Sequence, residues 1–245
     1  MDMTRRTFLK TAAVGTAATS GVGTASATVS SLSDSYSGVV RTRGHFDISF
    51  WGNVYRTDGH SRTDYGTTGT ISGLTDDSDP SELVVFVHGW KHNAVEARKK
   101  FRQVTEALRG QDVSAPVVGY SWDSEGETLQ WWDFVEIADL NADKLGTFIR
   151  DYQAASPGTD VRVIAHSLGA MTIVECLEFF MDRGYDTSIK SVDLLGGAVD
   201  DDEVATGGEY GQAIADHCEH FRNYYKTDDG TLQTDYRLAE WDTAV

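Results

Sequence analysis

The pattern of hydrophobic and polar positions changes near Pro80. Beyond it, short apolar runs alternate with longer segments whose apolar residues recur every three or four positions. Short runs of this kind predict buried strands, and the longer segments predict amphipathic helices. We expect strands at 83–87, 116–120, 161–165, 191–195 and 221–225. We expect helices at about 94–108, 136–152, 168–181 and 210–218.

This alternation predicts the fold class. Strands separated by helices form a mostly parallel sheet with helices on both faces, an α/β architecture. Residues 28–80 are rich in Gly, Ser, Thr and Asp, and within them 45–51 alternate as an edge strand does. We expect that strand to pair with 67–71. We interpret 28–80 as N-terminal strands and loops of the domain whose main part is 81–245.

The first 27 residues have the pattern of an export signal. Residues 4–10, Thr-Arg-Arg-Thr-Phe-Leu-Lys, match the twin-arginine consensus, and a weakly apolar run ends in Ala25-Ser26-Ala27. We therefore expect residues 1–27 to be a cleaved signal peptide, the twin-arginine translocase to be a partner, and the protein to be secreted. Outside the cell Cys176 and Cys218 either pair or remain two core thiols.

Charge narrows the possible partners. The chain has 38 acidic against 21 basic residues, for a formal net charge of -17. A nucleic-acid partner is excluded on this composition, because binding a polyanion needs a basic face. Aspartate outnumbers glutamate 26 to 12, and only 7 residues are lysine. Such a surface is typical of proteins that work in high salt, where screening weakens self-repulsion, so we expect a halophilic source.

Ser167 is the strongest candidate for a catalytic residue. It lies in Ala165-His166-Ser167-Leu168-Gly169, between a predicted strand and a predicted helix. This is the arrangement of a nucleophile elbow, in which small flanking residues allow a sharp turn that exposes the serine hydroxyl. The following helix offers backbone N–H groups to a developing oxyanion.

A second motif supplies the matching oxyanion donor. The predicted strand 83–87 ends in His88-Gly89-Trp90. An N–H group at this position, together with the one after the nucleophile, binds the oxyanion in serine hydrolases with an elbow. We therefore predict the N–H groups of Trp90 and Leu168 as the oxyanion hole. We interpret His88 as a hydrogen-bonded structural residue.

These motifs resemble those of a known superfamily. From about residue 83 to 232 the chain is similar to α/β-hydrolases, in particular to lipase- and esterase-like domains. The shared motifs are Phe86–Gly89, Ser121–Ser124, Ala165–Gly169 and Tyr225–Asp229. Two residues depart from the usual pattern: Asp123 replaces a proline, and Ala165 replaces the first glycine of the elbow. The resemblance implies an α/β-hydrolase fold and cleavage of a small acyl ester or lipid, with no cofactor and no metal.

The superfamily order of nucleophile, acid and histidine points to residues downstream of Ser167. Asp229 is the first choice for the acid because it follows the predicted strand 221–225, and Asp200, one strand earlier, is the runner-up. No histidine follows Asp229. We therefore expect the catalytic histidine beyond Val245, on a final strand and loop missing from an incomplete C-terminus.

Two hypotheses about the function remain open at this stage. The chain is either an exported serine hydrolase or an inactive α/β-hydrolase-like module secreted for binding. Metal-dependent hydrolysis through His88, His92 and the Asp200–Asp202 run lacks the usual ligand spacing. The aromatic cluster at 131–134 forms either a lid or acyl-binding wall, or part of the core.

Overall fold

A seven-stranded sheet organises residues 35–225, the part of the chain that the structure, a computed structural model, describes. The strand order is β4-β1-β6-β5-β7-β8-β9, and all neighbours are parallel except β1 and β4. The strands are β1 Gly38–Arg41, β4 Gly66–Gly69, β5 Glu82–Val87, β6 Val117–Ser121, β7 Asp160–His166, β8 Ser191–Leu195 and β9 Phe221–Tyr224. Two further strands, β2 Phe46–Ile48 and β3 Val54–Arg56, form a separate hairpin.

Helices cover both faces of the sheet, as predicted. They are α1 Ala94–Arg109, α2 Trp131–Ala155, α3 Gly169–Asp182 and α4 Gly211–His217. Because side chains alternate along a strand, Val84 and Phe86 of β5 pack with α1, whereas Val85 and Val87 join the larger core under α2 and α3. In the described residues no helix is both long and apolar enough to span a membrane. Cys176 and Cys218 are buried, unpaired thiols.

The N-terminal pairing that we predicted is wrong. Within 45–51 only Phe46–Ile48 is a strand, and its partner is β3, because a turn at 49–53 reverses the chain: Ser49 N–H donates to Asn53 O over 2.9 Å. The segment at 67–71 instead forms β4, which runs antiparallel to β1. The sequence pattern did not reveal β1, because its four residues follow a Ser-rich stretch.

The carboxyl ends of the six parallel strands meet at one edge of the sheet, which we call the carboxyl edge. The segments that follow β1, β5, β6, β7, β8 and β9 therefore lie along this edge. The predicted nucleophile and the predicted oxyanion loop follow β7 and β5, which are neighbours with Val87 opposite Ala165. Open parallel sheets place their ligands at this edge.

Candidate active site

Ser167 occupies a strained turn between β7 and α3. Its φ of 51° lies in the left-handed region, which a non-glycine residue adopts only at a cost. Three backbone hydrogen bonds hold it there. Its N–H donates to Leu195 O at the end of β8, and its carbonyl accepts from Ala170 and Ala198. None of the hydrogen bonds within residues 35–225 uses its half-buried hydroxyl, so it is available for chemistry.

Two glycines let the elbow approach β5 closely. A Cβ on Gly169 would lie 2.7 Å from His88 O and 2.8 Å from Val87 O. A Cβ on Gly89 would lie 2.8 Å from the Cβ of Ser167. These distances are shorter than real side-chain contacts, so larger residues would push the start of α3 away from the end of β5. The close approach places the backbone after Ser167 beside the loop after β5.

The two predicted oxyanion donors lie on the two sides of this approach. Leu168 precedes the first residue of α3, where backbone N–H groups have no partner within the helix. Trp90 belongs to the loop after β5. No hydrogen bond between described residues uses the N–H of Leu168 or of Trp90. Both N–H groups are therefore free to donate to a bound oxygen atom, as the donors of an oxyanion hole do.

His88 is a structural residue, as the sequence indicated. It is fully buried, its Nδ1 is 2.8 Å from Gly89 O, and its ring stacks on Trp122 with centroids 5.7 Å apart. The indole N–H of Trp122 donates to His88 O, and the backbone N–H of Trp122 donates to Nε2 of His88. Burial lowers the pKa of His88 to about 3, so the ring is neutral at physiological pH. A neutral ring with both nitrogens engaged is not the base for Ser167.

The segment after β6 fixes the oxyanion loop from the other side. Lys91 N–H donates to Ser124 O over 2.7 Å, and the Ser124 hydroxyl donates to His92 O over 3.0 Å. Asp123, which replaces the usual proline, accepts from the N–H groups of Gly44 and Phe46. The segment therefore connects the oxyanion loop to the chain that follows β1.

Arg43 is a supporting residue that sequence reasoning missed. Its guanidinium donates to Ser121 Oγ and to His92 O and lies 3.3 Å from Nε2 of His88. It thus joins the ends of β1, β5 and β6. The sequence offers only a weak indication, a basic residue shortly after a short apolar run in an acidic chain.

The aromatic cluster at 131–134 is divided between core and surface. Trp131 and Phe134 are buried and pack against the Trp90 ring, with centroids 5.0 and 5.9 Å away. Trp132 is 49% exposed. The cluster therefore supports the oxyanion loop through Trp90, and only Trp132 faces solvent.

Of the two predicted acids, the structure describes only Asp200. Asp229 lies outside the described residues. Asp200 is exposed in the loop after β8, two positions beyond Ala198, whose N–H donates to Ser167 O. Asp200 thus follows a strand at the carboxyl edge. His217 and His220 lie beside the start of β9, at the opposite edge.

The structure does not gather His88, His92 and the Asp200–Asp202 run as metal ligands. In the described part of the chain, the one group of three candidate ligands is His45, His60 and Asp64. The two imidazoles stack with centroids 3.6 Å apart and planes 20° apart. A metal ion lies close to the plane of each imidazole that it binds. Two rings stacked in this way cannot both have one ion in their plane at a bonding distance of about 2.1 Å from a ring nitrogen.

Hydrogen bonds account for His60 and Asp64 of this group, whereas Nδ1 of His45 is buried without a hydrogen-bond partner, 3.6 Å from Asp64 Oδ1. Nδ1 of His60 is 2.9 Å from Asp64 Oδ2, and the buried ammonium of Lys144 donates to Asp64 Oδ1 over 2.6 Å. Burial, with Lys144 nearby, lowers the pKa of His45 to about 4. The group therefore connects the loop before β4 to helix α2.

The chain was compared with known families and proteins. Residues 68–241 match the model of a family described as "Alpha/beta hydrolase of unknown function (DUF900)". No curated protein matches the chain. Among solved structures, an iodinated complex of acetyl xylan esterase is similar at 11% identity and a TM-score of 0.42, covering 67% of this chain and 95% of that one. The family match confirms the fold class predicted from the sequence.

Proposed function

The chain belongs to the alpha/beta hydrolase family of unknown function that its residues 68–241 match, and from that premise we propose that it is a serine hydrolase that cleaves acyl esters. The observation that carries the proposal is Ser167: a serine in a left-handed conformation between strand and helix, whose hydroxyl is used by none of the hydrogen bonds within residues 35–225. Strained backbone that is held by many contacts is characteristic of functional sites.

In the proposed reaction the Ser167 hydroxyl attacks the ester carbonyl. The negative charge that develops on the carbonyl oxygen accepts hydrogen bonds from the N–H groups of Trp90 and Leu168, which are held in place before the reaction begins. The alcohol leaves, and water then hydrolyses the acyl-serine ester.

Proton transfer requires a base and an acid that orients it. We propose Asp229 as the acid, with Asp200 as the alternative, and a histidine oriented by that acid as the base. Separate Asp229→Asn and Asp200→Asn variants test this assignment. The variant that removes the acid should lose most activity, and the other should retain it. Two fully active variants would contradict both assignments.

Covalent labelling tests the nucleophile. A fluorophosphonate probe should label the full-length protein at Ser167, and Ser167→Ala should abolish labelling and lower ester hydrolysis by roughly a million-fold. Ser114→Ala is the matched control, because Ser114 is an exposed serine after α1, at the opposite edge of the sheet. Labelling that persists in Ser167→Ala would refute the assignment. A folded wild-type protein that is not labelled would favour a binding module.

We also propose that the protein is exported through the twin-arginine pathway. Arg5 and Arg6, which carry the pattern, lie outside the described residues. A double change of both arginines to lysine should leave the protein inside the cell. Unchanged secretion would contradict the proposal.

A further inference from the structure

The loop that connects β8 to α4, residues 196–210, contacts the elbow at its first end. We call it the β8–α4 loop. The N–H of Ala198 donates to Ser167 O over 3.1 Å. A Cβ on Gly197 would lie 3.0 Å from the Cβ of Ala170, so the loop also lies close against the first turn of α3. The position of this end of the loop therefore affects the position of the Ser167 backbone.

The other end of the β8–α4 loop is attached to the middle of α3. Its last residue, Tyr210, is only 3% exposed. The Tyr210 hydroxyl donates to Glu175 Oε1 over 2.5 Å and lies 3.6 Å from Met171 Sδ. Met171 and Glu175 are one helical turn apart on α3, the helix that begins at the elbow. The loop is therefore held at both ends by the unit formed by the elbow and α3.

Hydrogen bonds also connect the two ends of the loop with each other. The N–H of Tyr210 donates to Glu203 O over 2.9 Å. The N–H of Asp200 donates to the carboxylate of Glu203 over 3.2 Å. Asp200, the alternative acid, comes two positions after Ala198. A continuous series of contacts thus leads from Glu175, through Tyr210 and Glu203, to the segment that holds the elbow.

Glu175 itself lies in an acidic environment. Carboxylates face it from three elements: Asp139 of α2, Glu178 of α3 and Glu209 of the β8–α4 loop. Burial raises the pKa of Glu175 to about 7, with smaller contributions in the same direction from these carboxylates. The hydroxyl of Tyr210 stabilises the charged form and lowers the pKa, but it does not outweigh burial. Glu175 therefore changes its charge near neutral pH.

This titration is coupled to the attachment of the loop. Tyr210 lies against Glu175 and is itself buried, so the attached loop is part of what buries the carboxyl group. A glutamate in water has a pKa of about 4.3. Between pH ~4.3 and pH ~7 the covered carboxyl binds a proton that an uncovered one does not. Attachment is therefore strongest below pH ~4.3, weakens by up to about tenfold per pH unit as the pH rises, and is constant above pH ~7.

We propose that Glu175 is a positioning residue for the Ser167 elbow: through Tyr210 it fastens the β8–α4 loop when it is protonated, and it loosens this loop when it is ionised. The elbow thus responds to pH through a carboxyl group that lies in the middle of α3 and takes no part in the proposed chemistry. The consequence for catalysis rests on the proposed function, whereas the coupling between Glu175 and the elbow does not.

Amide hydrogen exchange of the full chain, followed by NMR from pH 5 to pH 7.5, tests this coupling. The N–H groups of Ala198, Gly208 and Tyr210 report on the loop, because they donate to Ser167 O, Ala205 O and Glu203 O. After correction for the intrinsic effect of pH on exchange, we expect their protection to fall at least about tenfold over this range. Glu175→Gln keeps the size and an acceptor oxygen but cannot ionise, so it should abolish the fall.

A second variant tests the role of Tyr210. Tyr210→Phe removes the hydroxyl that stabilises the charged form of Glu175. The pKa of Glu175 should then rise further, and the fall in protection should continue above pH 7.5. The matched control is Glu106→Gln, which removes the same charge from an exposed position of α1. It should leave the pH dependence of all three N–H groups unchanged.

Each outcome of the exchange experiment decides the proposal. A wild-type protein without the fall, a fall that persists in Glu175→Gln, or a fall in Tyr210→Phe that ends at the same pH as in the wild type would overturn it. A fall at Gly208 and Tyr210 but not at Ala198 would also overturn it, because Glu175 would then fasten only the far end of the loop.

Fluorophosphonate labelling connects this coupling to the proposed reaction. The ratio of the labelling rate of the wild type to that of Glu175→Gln should decrease from pH 5 to pH 7 and then remain constant. Taking the ratio removes the titration of the catalytic base, which both proteins share. Exchange that behaves as expected in a protein that is not labelled at Ser167 would count against the proposed function alone.

Discussion

At the scale of single residues, Ser167 shows how the proposed nucleophile is held in an unfavourable backbone conformation. A left-handed non-glycine residue costs about 1–3 kcal/mol. Here three backbone hydrogen bonds to Leu195, Ala170 and Ala198 hold the turn, and two glycines leave room for it. The same contacts that maintain the strain also fix the direction of the hydroxyl. The site therefore depends on residues that take no part in the chemistry.

Added side chains at these glycines should damage the site more than the fold. Gly169→Ala forces a methyl group against the carbonyl oxygens of His88 and Val87, so we expect about 1–3 kcal/mol of destabilisation. A displacement of the elbow by about 1 Å should slow fluorophosphonate labelling roughly a hundredfold. Gly158→Ala is the matched control, because nothing lies within 4 Å of an added Cβ there. Equal labelling rates for the two variants would contradict the packing described for the elbow.

The buried histidine of the oxyanion loop should make the fold sensitive to acid. Burial lowers the pKa of His88 to about 3, against about 6.5 for an unfolded histidine. Between these values the unfolded chain binds a proton that the folded chain does not, so stability is complete above pH ~6.5 and falls as the pH decreases. The expected loss is about 1.4 kcal/mol per pH unit from this residue alone.

Two measurements check this prediction. Urea unfolding between pH 7 and pH 4.5 gives the slope of stability against pH. The NMR signals of the His88 ring should keep their neutral form at pH 5. A ring that titrates near pH 6.5 in the folded protein would show that His88 is not buried as described.

Residue-level prediction from sequence succeeded where the determinants are local. The elbow around Ser167 and the His-Gly pair after β5 are short motifs that need only a strand before them. Arg43 could not be predicted in this way, because its contacts at His88 and Ser121 are 45 and 78 positions away in the chain. Such a residue becomes visible only after the sheet brings β1 beside β6.

At the scale of elements, two motifs that are separate in the sequence, the His-Gly pair after β5 and the Ser-Trp-x-Ser segment after β6, form one unit in the structure. The segment after β6 supplies Trp122, which stacks on His88 and donates to its carbonyl oxygen, and Ser124, which holds the chain at His92. The two strands are neighbours in the sheet, so their loops meet. This explains physically why a Ser-Trp-x-Ser motif accompanies a strand that ends in His-Gly.

The hydrogen bond between these loops gives a prediction at this scale. Trp122→Phe keeps an aromatic ring against His88 but removes the N–H that donates to His88 O. We expect a loss of about 1–3 kcal/mol in stability, because the buried carbonyl loses its partner. Labelling at Ser167 should also slow, because the oxyanion loop becomes less well fixed. Normal labelling together with a large loss of stability would mean that the bond supports the core but not the site.

The arrangement of elements was predictable where the strands are apolar. The five strands predicted beyond Pro80 are all present as β5 to β9: β5 and β6 are buried along almost their whole length, whereas polar residues interrupt β7, β8 and β9. The N-terminal pairing was wrong because β2 and β3 are short, partly exposed strands whose partner is decided by one turn. Periodicity does not encode that choice.

At the scale of the whole molecule, the two kinds of exposed surface have different consequences. Nine large hydrophobic side chains are exposed in residues 35–225, whereas charge is distributed through the sequence, with 38 acidic residues against 21 basic ones. The acidity follows directly from the sequence, because it depends only on the numbers of acidic and basic residues. It could not predict which apolar side chains stay exposed, because Phe50 and Leu129 differ from the buried apolar residues only in the tertiary structure.

The net charge gives the last prediction, a requirement for salt. A formal charge of -17 opposes the compact state at low ionic strength, where the Debye length is about 30 Å at 0.01 M. In 1 M salt it is about 3 Å, and repulsion between distant carboxylates is largely screened. The melting temperature should therefore rise from 0.01 M to molar KCl. KCl and NaBr at equal ionic strength should raise it equally over the lower part of this range, because screening depends on ionic strength and not on the identity of the ion. A melting temperature that stays flat, or that rises in only one of the two salts, would mean that self-repulsion contributes little to the stability of this acidic chain.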